Sequence, residues 1–499
     1  MTGFFREDIT RRELAVLTGA TLIGFMQADA GAVARTTQNK LRDLVSVVDF
    51  GADPTGAIDS TTAFAKCSAS GATRVFFPQG RYKVTLIVGH GLFEFVDKVG
   101  IELVGAGAVF DNTAQTHAAQ AAYTSVFSFE RCKGLNVRGI SYEGEELPSP
   151  SHSVDGVGYA GAIFVRLKDH CSNVNVKASL NNLRYGVVGG DYVDPTLGYN
   201  SNIHVELKTY KCGYPIALYL ADNVTGSIDA KNSHRATYLA GVINTKLSIQ
   251  VRNNYIAGIL NLLTDAKTGT STSRGCENIE LKIRDDGSTV YVENAYLAGI
   301  NPSRGDPVEF NNIDVVVALK ATSMVATTLG IFTVSSSYRS VQPSYIYNWY
   351  PHHKLKNITI SGIVDKSALT TEYGNLYGDV YIKSFDDASI PATPSYATVA
   401  GLTFELQMPR SASYTTAHAG LVIRLGASLV GLCTFKNCNF YTHRMYLVGN
   451  STTGKIVFDN CKLYSSNYLE SYDASTVSFI KTKILDPGGQ PRTNKTFIN

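Results

Sequence analysis

The sequence predicts an all-β chain wound into a solenoid of stacked coils. A short pattern of alternating apolar residues recurs from residue 173 to residue 479. Residues that suit tight turns are abundant, including 44 glycines, and charged residues make up only 17% of the chain. No amphipathic helix of about 10–15 residues separates the repeats, which argues against a doubly wound sheet or an α/β barrel.

The recurring pattern is typical of a strand with one buried face. Its shortest intervals are 21–23 residues, which fits one solenoid coil closed by Asn or Gly turns, and the longer intervals then carry inserted loops. A β-sandwich fits less well, because its strands recur every 8–12 residues or so without a longer period. The repeats begin at Asn173, Asn202, Asn223, Lys246, Asn278, Asn312, Asn357, Gly401, Lys455 and Thr476.

The sequence divides into three segments. Residues 1–44 contain no repeat, residues 45–395 form the main solenoid with inserted loops, and residues 396–499 form narrower coils that we assign to trimerisation or carbohydrate binding. Near the front of the main segment, Asp59 is expected to cap a short helix that places Phe64 and Cys67 one turn apart. Such a helix would cover the first coil, which otherwise exposes unpaired backbone and apolar core.

Composition argues against nucleic-acid binding and against metal chemistry. The net charge is only +3, and Lys and Arg are dispersed along the chain. The eight cysteines show no CxxC pair and no His-rich spacing, so we expect buried thiols, no zinc site and no cofactor. Cys438 and Cys461 each follow an asparagine at a spacing of 23 residues, and they are expected to stack in adjacent coils.

The N-terminal segment also permits an export-signal interpretation. Arg11 and Arg12 precede an apolar run from Ala15 to Met26, and residues 32–34 resemble a cleavage site. The run contains Thr and Gly residues and is too short to span a bilayer. We therefore expect no membrane insertion from this run or from any other stretch.

The run from Val45 to Val84 resembles the opening of the pectate-lyase-like superfamily as it occurs in phage tailspikes and capsular polysaccharide depolymerases. Asp49-Phe-Gly-Ala and Phe77-Pro-Gln-Gly-Arg-Tyr carry the resemblance, and residues 22–43 are similar to the N-terminal stretch of phage tail fibres. The resemblance implies a right-handed parallel β-helix with a short N-terminal tail and a capping helix. It also implies a homotrimer on the virion tail, docked to another phage tail protein through residues 1–44, that acts outside the cell on a bacterial surface polysaccharide.

The central coils are predicted to carry the functional groups on one outer face. Aligning the repeats at 173, 202, 223 and 246 places Ile216 and Thr237 in one inward column. The matching outward column contains Val188, Ala217, Tyr238 and Asn261. On this basis the candidate substrate-binding residues are Arg184, Lys211, Tyr219, Asn232, Arg252 and Asn261.

Two kinds of glycan cleavage fit the residues near this face. Elimination needs a base and a cation that neutralises the sugar carboxylate, and His234, Arg235 and Tyr238 supply these groups. Hydrolysis needs two carboxylates, for which Asp191 and Asp194 are the candidates, with Asp222 and Asp229 also in reach. An active site in the 143–155 loop or between subunits stays open as an alternative.

The sequence therefore predicts a tailspike depolymerase that binds and cleaves capsular or exopolysaccharide, with a lyase slightly favoured over a glycoside hydrolase. A non-catalytic glycan-binding tail adhesin and a secreted bacterial pectinase-like enzyme are the alternatives. Outward apolar residues at Val188 and Leu263 would be costly if bare, which supports the homotrimer.

Overall fold

The computed structural model describes residues 24–25, 33–36, 43–116, 124–146, 162–190, 199–233, 236–252, 260–263, 274–286, 288–290, 295–299, 309–324, 332–335, 354–365, 380–383, 398–408, 419–425, 432–449, 455–471, 477–486, 489–491 and 497–498. Within these residues the chain is almost entirely β-strand. A 3-10 helix (Val47–Phe50) and an α-helix, α1 (Thr61–Ala69), lie near its front.

The strands are short at the N-terminus and long in the middle of the chain. The first sixteen are β1 (Gly24–Phe25), β2 (Arg35–Thr36), β3 (Val45–Ser46), β4 (Arg74–Phe77), β5 (Gly80–Lys83), β6 (Gly91–Val96), β7 (Val99–Asn112), β8 (Ser125–Glu130), β9 (Lys133–Gly144), β10 (Ile163–Leu167), β11 (Ser172–Gly189), β12 (Asn200–Tyr219), β13 (Ala221–Lys231), β14 (Thr237–Ala240), β15 (Ile243–Arg252) and β16 (Leu260–Leu263). The others are β17 (Glu277–Asp285), β18 (Ser288–Val290), β19 (Ala295–Gly299), β20 (Glu309–Met324), β21 (Phe332–Ser335), β22 (Lys354–Asp365), β23 (Val380–Lys383), β24 (Thr398–Met408), β25 (Ala419–Leu425), β26 (Leu432–Lys436), β27 (Asn439–Gly449), β28 (Lys455–Asp459), β29 (Lys462–Ser471), β30 (Val477–Ile480), β31 (Lys483–Leu485) and β32 (Phe497–Ile498).

From β3 onward the strands pair in parallel with the strand one coil before and the strand one coil after. Strand β13, for example, pairs with β12 on one side and with β15 on the other. Strands β11 and β12 continue around a corner and therefore take part in two sheets. Outside this arrangement, β1 and β2 pair antiparallel. The predicted parallel β-helix is confirmed, and right-handed winding is the usual hand of parallel crossovers.

The core consists of side chains that stack from coil to coil. Val174, Ile203 and Val224 pair in register on three successive strands, and all three are buried. At the C-terminal end Phe435 stacks between Phe404 and Phe458, with ring centroids 5.0 and 4.8 Å apart. Each inward residue thus contacts its equivalents above and below, which gives the close packing of a protein interior.

Helix α1 covers the first coil, as predicted. Phe64 and Cys67 are buried, and the Phe64 ring lies 5.0 Å from the ring of Phe110. The predicted cap is wrong by one residue, because the helix begins after Ser60. The Asp59 carboxylate nevertheless accepts a hydrogen bond from the backbone N–H of Thr61 at 2.8 Å.

Coil corners are formed by residues with positive φ, and among the described residues other than glycine most of these are asparagines. Asn173, Asn202 and Asn223 have φ of 55, 53 and 56°. The side-chain amide of Asn202 donates to Asn173 Oδ1, and that of Asn223 donates to Asn202 Oδ1, both at 3.0 Å. Asn tolerates this region better than other residues that carry a Cβ. We call the column the asparagine ladder; it comprises Asn173, Asn202, Asn223, Asn244, Asn278, Asn312 and Asn357.

One strand start predicted from the sequence is wrong. Thr245 pairs with Val224, so Asn244 occupies the ladder position rather than Lys246. The error is two residues, an even number, and it leaves every side chain on its predicted face.

All eight cysteines are buried free thiols, as predicted. The Cys438 thiol donates to the Phe404 carbonyl at 3.1 Å, and the Cys461 thiol donates to the Phe435 carbonyl at 3.2 Å. One coil further on, the hydroxyl of Thr482 makes the equivalent bond to a carbonyl at 2.9 Å. Burial raises the pKa of the Cys438 thiol, which keeps it protonated as a donor.

Strand pairing continues across the boundary predicted at residue 396, since β24 pairs with β22 before it and with β26 after it. The three-segment division stays a prediction. Most of residues 1–44 lie outside the described ranges. Among the residues with described coordinates, no helix has the length and apolar character needed to cross a membrane.

Candidate functional site

One sheet of the β-helix runs through β6, β8, β10, the C-terminal parts of β11 and β12, and β14; we call it the site sheet. Ile216 pairs with Thr237, and both are buried. Ala217, next along the strand, pairs with Val188 on one side and with Tyr238 on the other. The predicted inward and outward columns are therefore confirmed for these strands.

Four tyrosines meet on the outer face of the site sheet. The rings of Tyr185 and Tyr214 stack with centroids 5.0 Å apart and an angle of 20°. Tyr238 packs edge-on against Tyr214 at 6.1 Å and lies 5.4 Å from Tyr219. We call these residues the tyrosine cluster; each of them is half-buried.

The tyrosine cluster rests on an apolar patch that is separate from the main core. Ile163, Val188 and Ala217 form the patch, and Tyr185, Tyr214 and Tyr238 pack against it. Val188 is only 8% exposed, so it is already covered within one chain. Val188 therefore gives no support to the predicted homotrimer, which stays a prediction. The side chain of Leu263 lies outside the described residues.

Two arginines lie beside the cluster. The guanidinium carbon of Arg184 lies 5.0 Å from the Tyr185 ring centroid, a cation–π distance. Arg166 pairs in register with Val188 and is 8% exposed. Arg166 was not among the residues predicted from the sequence, although its place in the outward column of β10 could have indicated it.

Lys211 lies at the corner of β12 that precedes Tyr214. Its Nζ is 2.8 Å from Glu146 Oε1 and 5.7 Å from the centroid of the Tyr210 ring. The Lys211 side chain is 10% exposed, whereas that of Glu146 is 81% exposed. The hydrogen bond from Lys211 holds the pKa of the Glu146 carboxyl below its ordinary value.

Two further predicted site residues, Arg252 and Asn232, have described side chains. Arg252 forms an ion pair with Asp229, and Asn232 is a corner residue with φ of 51°. The predicted catalytic residues His234, Arg235, Asp191 and Asp194 lie outside the described residues, as does the side chain of Asn261 in β16. The roles assigned to these residues stay predictions.

Several carboxylates near this part of the chain are ion-paired. Arg81 binds Asp111 at 2.7 Å and Glu143 at 2.6 Å, and these two acids pair in register on β7 and β9. Burial alone would raise the pKa of Asp111, but hydrogen bonds from Arg81 and Thr113 bring it below its ordinary value. Within the described parts of the chain, no group of three or more His, Cys, Asp or Glu side chains is placed to hold a metal ion.

Solved structures similar to this chain include phage tailspikes and glycoside hydrolases. Tailspike protein 3 of bacteriophage CBA120 is 12% identical, with 97% of this chain and 68% of that chain covered and a TM-score of 0.39. The tailspike of E. coli bacteriophage HK620, in complex with a pentasaccharide, is 12% identical, with 94% and 86% covered and a TM-score of 0.34. A family 28 exopolygalacturonase of Yersinia enterocolitica is 11% identical, with 93% and 81% covered and a TM-score of 0.35. No protein-family model and no curated protein sequence matches the chain.

Proposed function

We propose that the chain is a tailspike-type depolymerase that binds and cleaves a bacterial surface polysaccharide over the tyrosine cluster. The cluster is the observation that carries the proposal, because it brings four half-buried rings together on the outer face of a rigid sheet. Tyrosine offers an apolar ring face and a polar hydroxyl, which matches the mixed surface of a sugar. Rings already held by their neighbours lose little conformational entropy when a ligand binds.

Elimination is the route that we infer first. We assign Tyr238 as the base, with His234 as the alternative. Lys211, or Arg235, would neutralise the carboxylate of the sugar whose C5 proton is removed. A preorganised cation stabilises the negative charge that develops on the sugar in the transition state.

Ion pairing of three described carboxylates with arginines favours elimination over hydrolysis. Hydrolysis requires a protonated acid, and such an acid usually has a raised pKa. Glu143 and Asp222, by contrast, are ion-paired with arginines, and the pKa of Asp111 is lowered. If the chemistry is hydrolysis, Asp191 and Asp194 are the candidates.

The test uses the purified full chain and capsular polysaccharide. Absorbance of unsaturated uronate indicates elimination, whereas new reducing ends without that absorbance would show hydrolysis. Tyr238→Phe keeps the ring and removes the hydroxyl, so it should lower turnover by about 10²–10⁴-fold while binding persists. Tyr199→Phe is the matched control, since Tyr199 is exposed and stacks on His170 outside the cluster.

Three outcomes would change the assignment. Wild-type turnover in Tyr238→Phe contradicts its role as the base. Loss of activity in Asp191→Asn or Asp194→Asn, with Tyr238→Phe active, assigns the chemistry to hydrolysis. A wild-type chain that coats cells without shortening their glycan would be a binding-only adhesin.

We further infer a homotrimer on the virion tail, docked to another tail protein through residues 1–44. This inference rests on the sequence resemblance of residues 22–84, since Val188 does not support it. Light scattering at micromolar concentration should give a trimer mass, and a monomer would contradict the inference. A mature N-terminus cleaved after residue 34 would favour the secreted-enzyme alternative.

A further inference from the structure

The corner that contains Lys211 differs from the corners directly before and after it. Asn182, Lys211 and Asn232 occupy equivalent positions in successive coils, with φ of 53, 50 and 51°. Asparagine is favoured at such positions, whereas a long side chain there is strained. Of these three positions only that of Lys211 holds a residue other than asparagine, which makes its side chain a candidate for a function.

Lys211 combines a mostly buried cation with an exposed partner. Its side chain is 10% exposed, and Nζ lies 5.7 Å from the Tyr210 ring centroid. Its carboxylate partner, Glu146, follows β9, two coils away from β12, and is 81% exposed. An ion pair with one solvated partner is weak and is easily displaced. A desolvated cation, by contrast, gains strongly from any well-placed carboxylate.

We propose that Lys211 binds the carboxylate of an acidic sugar, and that Glu146 occupies this anion site until the sugar displaces it. The inference rests on the proposed function and deepens it, because it assigns the substrate to the class of carboxylate-bearing glycans. Glu146 then acts as an internal stand-in for the sugar carboxylate. Binding of a neutral glycan would leave the Lys211–Glu146 pair intact.

The position of Lys211 relative to the tyrosine cluster supports this assignment. Lys211 precedes Tyr214 by three residues on the same strand, β12. Between them, Gly213 lies so close to the preceding coil that a Cβ there would meet the backbone oxygen of Arg184 at 2.6 Å. This close approach brings Arg184, which lies over Tyr185, beside the same corner. A sugar with its carboxylate at Lys211 would therefore have the cluster rings and a second cation within reach.

The variants can be matched closely. Lys211→Asn removes the cation and introduces the residue found in the coils before and after, so the fold should persist with an unchanged or higher melting temperature. Glu146→Gln removes the competing carboxylate and keeps the size of the side chain. Lys208→Asn is the control, because it removes the same charge from an exposed position on the same strand.

The assay measures binding to an array of bacterial capsular polysaccharides, each immobilised in native form and in carboxyl-reduced, neutral form. The wild-type chain should bind a native acidic glycan at least about tenfold more tightly than its reduced form. Glu146→Gln should tighten binding to the native form only. Lys211→Asn should abolish the preference, and Lys208→Asn should retain it.

The outcomes separate this inference from the proposed function. Equal binding to native and reduced glycans, or an unchanged preference in Lys211→Asn, overturns the anion site while glycan binding stands. Loss of that binding in Tyr214→Ala would still support the tyrosine cluster. A folded wild-type chain that binds no glycan on the array overturns the proposed function, and the inference with it.

Discussion

Replacement of Asn202 tests how the coil corners are stabilised. Its side chain makes two ladder bonds, one to Asn173 and one to Asn223, each at 3.0 Å. Both bonds are exposed, so each should contribute about 0.5 kcal/mol, at the low end for hydrogen bonds. Asn202→Gly loses both bonds and adds chain entropy to the unfolded state. Since glycine adopts φ of 53° without strain, we expect a loss of about 1–2 kcal/mol.

Asn202→Ala loses the same two bonds and adds the strain of positive φ, about 1–2 kcal/mol. Lower unfolded-state entropy recovers about 0.4–1 kcal/mol relative to glycine. The strain exceeds the entropy that is recovered, so Asn202→Ala should be less stable than Asn202→Gly by about 1 kcal/mol. Midpoints of urea unfolding, followed by circular dichroism, give the order without assuming two-state behaviour in a solenoid.

A strand residue of the same type gives the control. Asn175 lies in β11, is exposed and has a negative φ. Asn175→Gly should be less stable than Asn175→Ala by about 0.5–1 kcal/mol, which is the reverse of the order expected at Asn202. If the order is the same at both positions, positive φ does not determine which residues form the corners.

Three further predictions concern stability. Cys438→Ser should keep most of the stability, because a serine hydroxyl can donate to the same Phe404 carbonyl. Cys438→Ala removes this donor from the buried carbonyl and should therefore lower the urea midpoint, at a cost of about 1–3 kcal/mol. Gly226→Ala should reduce the melting temperature far more than Gly51→Ala, although both glycines have positive φ. A Cβ at Gly226 would lie 1.9 Å from a backbone oxygen, whereas a Cβ at Gly51 would meet no atom within 4 Å. The pKa of Asp111 is lowered, so its pairing with Arg81 stabilises the fold fully above the unfolded pKa of about 4, and this stabilisation is lost as pH falls through the lower pKa of the folded state. Arg81→Met, which also removes the pair with Glu143, should therefore lower the melting temperature more at pH 7 than at pH 3, and an equal loss at both pH values would exclude the ion pairs as the cause.

Alternation in the sequence predicted the faces of the strands because side chains in a strand alternate with a period of two. Tyr238 was placed on the outer face in this way, and its pairing with Ala217 confirms it. Alternation cannot distinguish registers that differ by two residues, which is why Lys246 was taken for a ladder position. The corner settles that choice, since Asn244 has the positive φ of 51° that a ladder position requires.

The contact between Lys211 and Glu146 could not be predicted from coil spacing. It joins residues 65 positions apart, on either side of β11, and the chain between them contains a long insertion after residue 146. Repeat length predicts neighbours only where coils have equal length. A signal was nevertheless present, because a lysine stands at the corner position between Asn182 and Asn232.

Corners are the positions where a β-helix can acquire a binding residue at least cost to its core. An inward substitution alters the packing of three coils at once, because each inward side chain contacts the coils before and after it. A corner residue, by contrast, has only to adopt positive φ, and a non-glycine side chain can do so at a cost of about 1–2 kcal/mol. At Lys211 that cost is accompanied by a mostly buried cation next to the tyrosine cluster. If Lys211 binds the sugar carboxylate as proposed, a change in the charge of the preferred glycan would require one corner substitution, such as Lys211→Asn, and no change in any inward-facing residue.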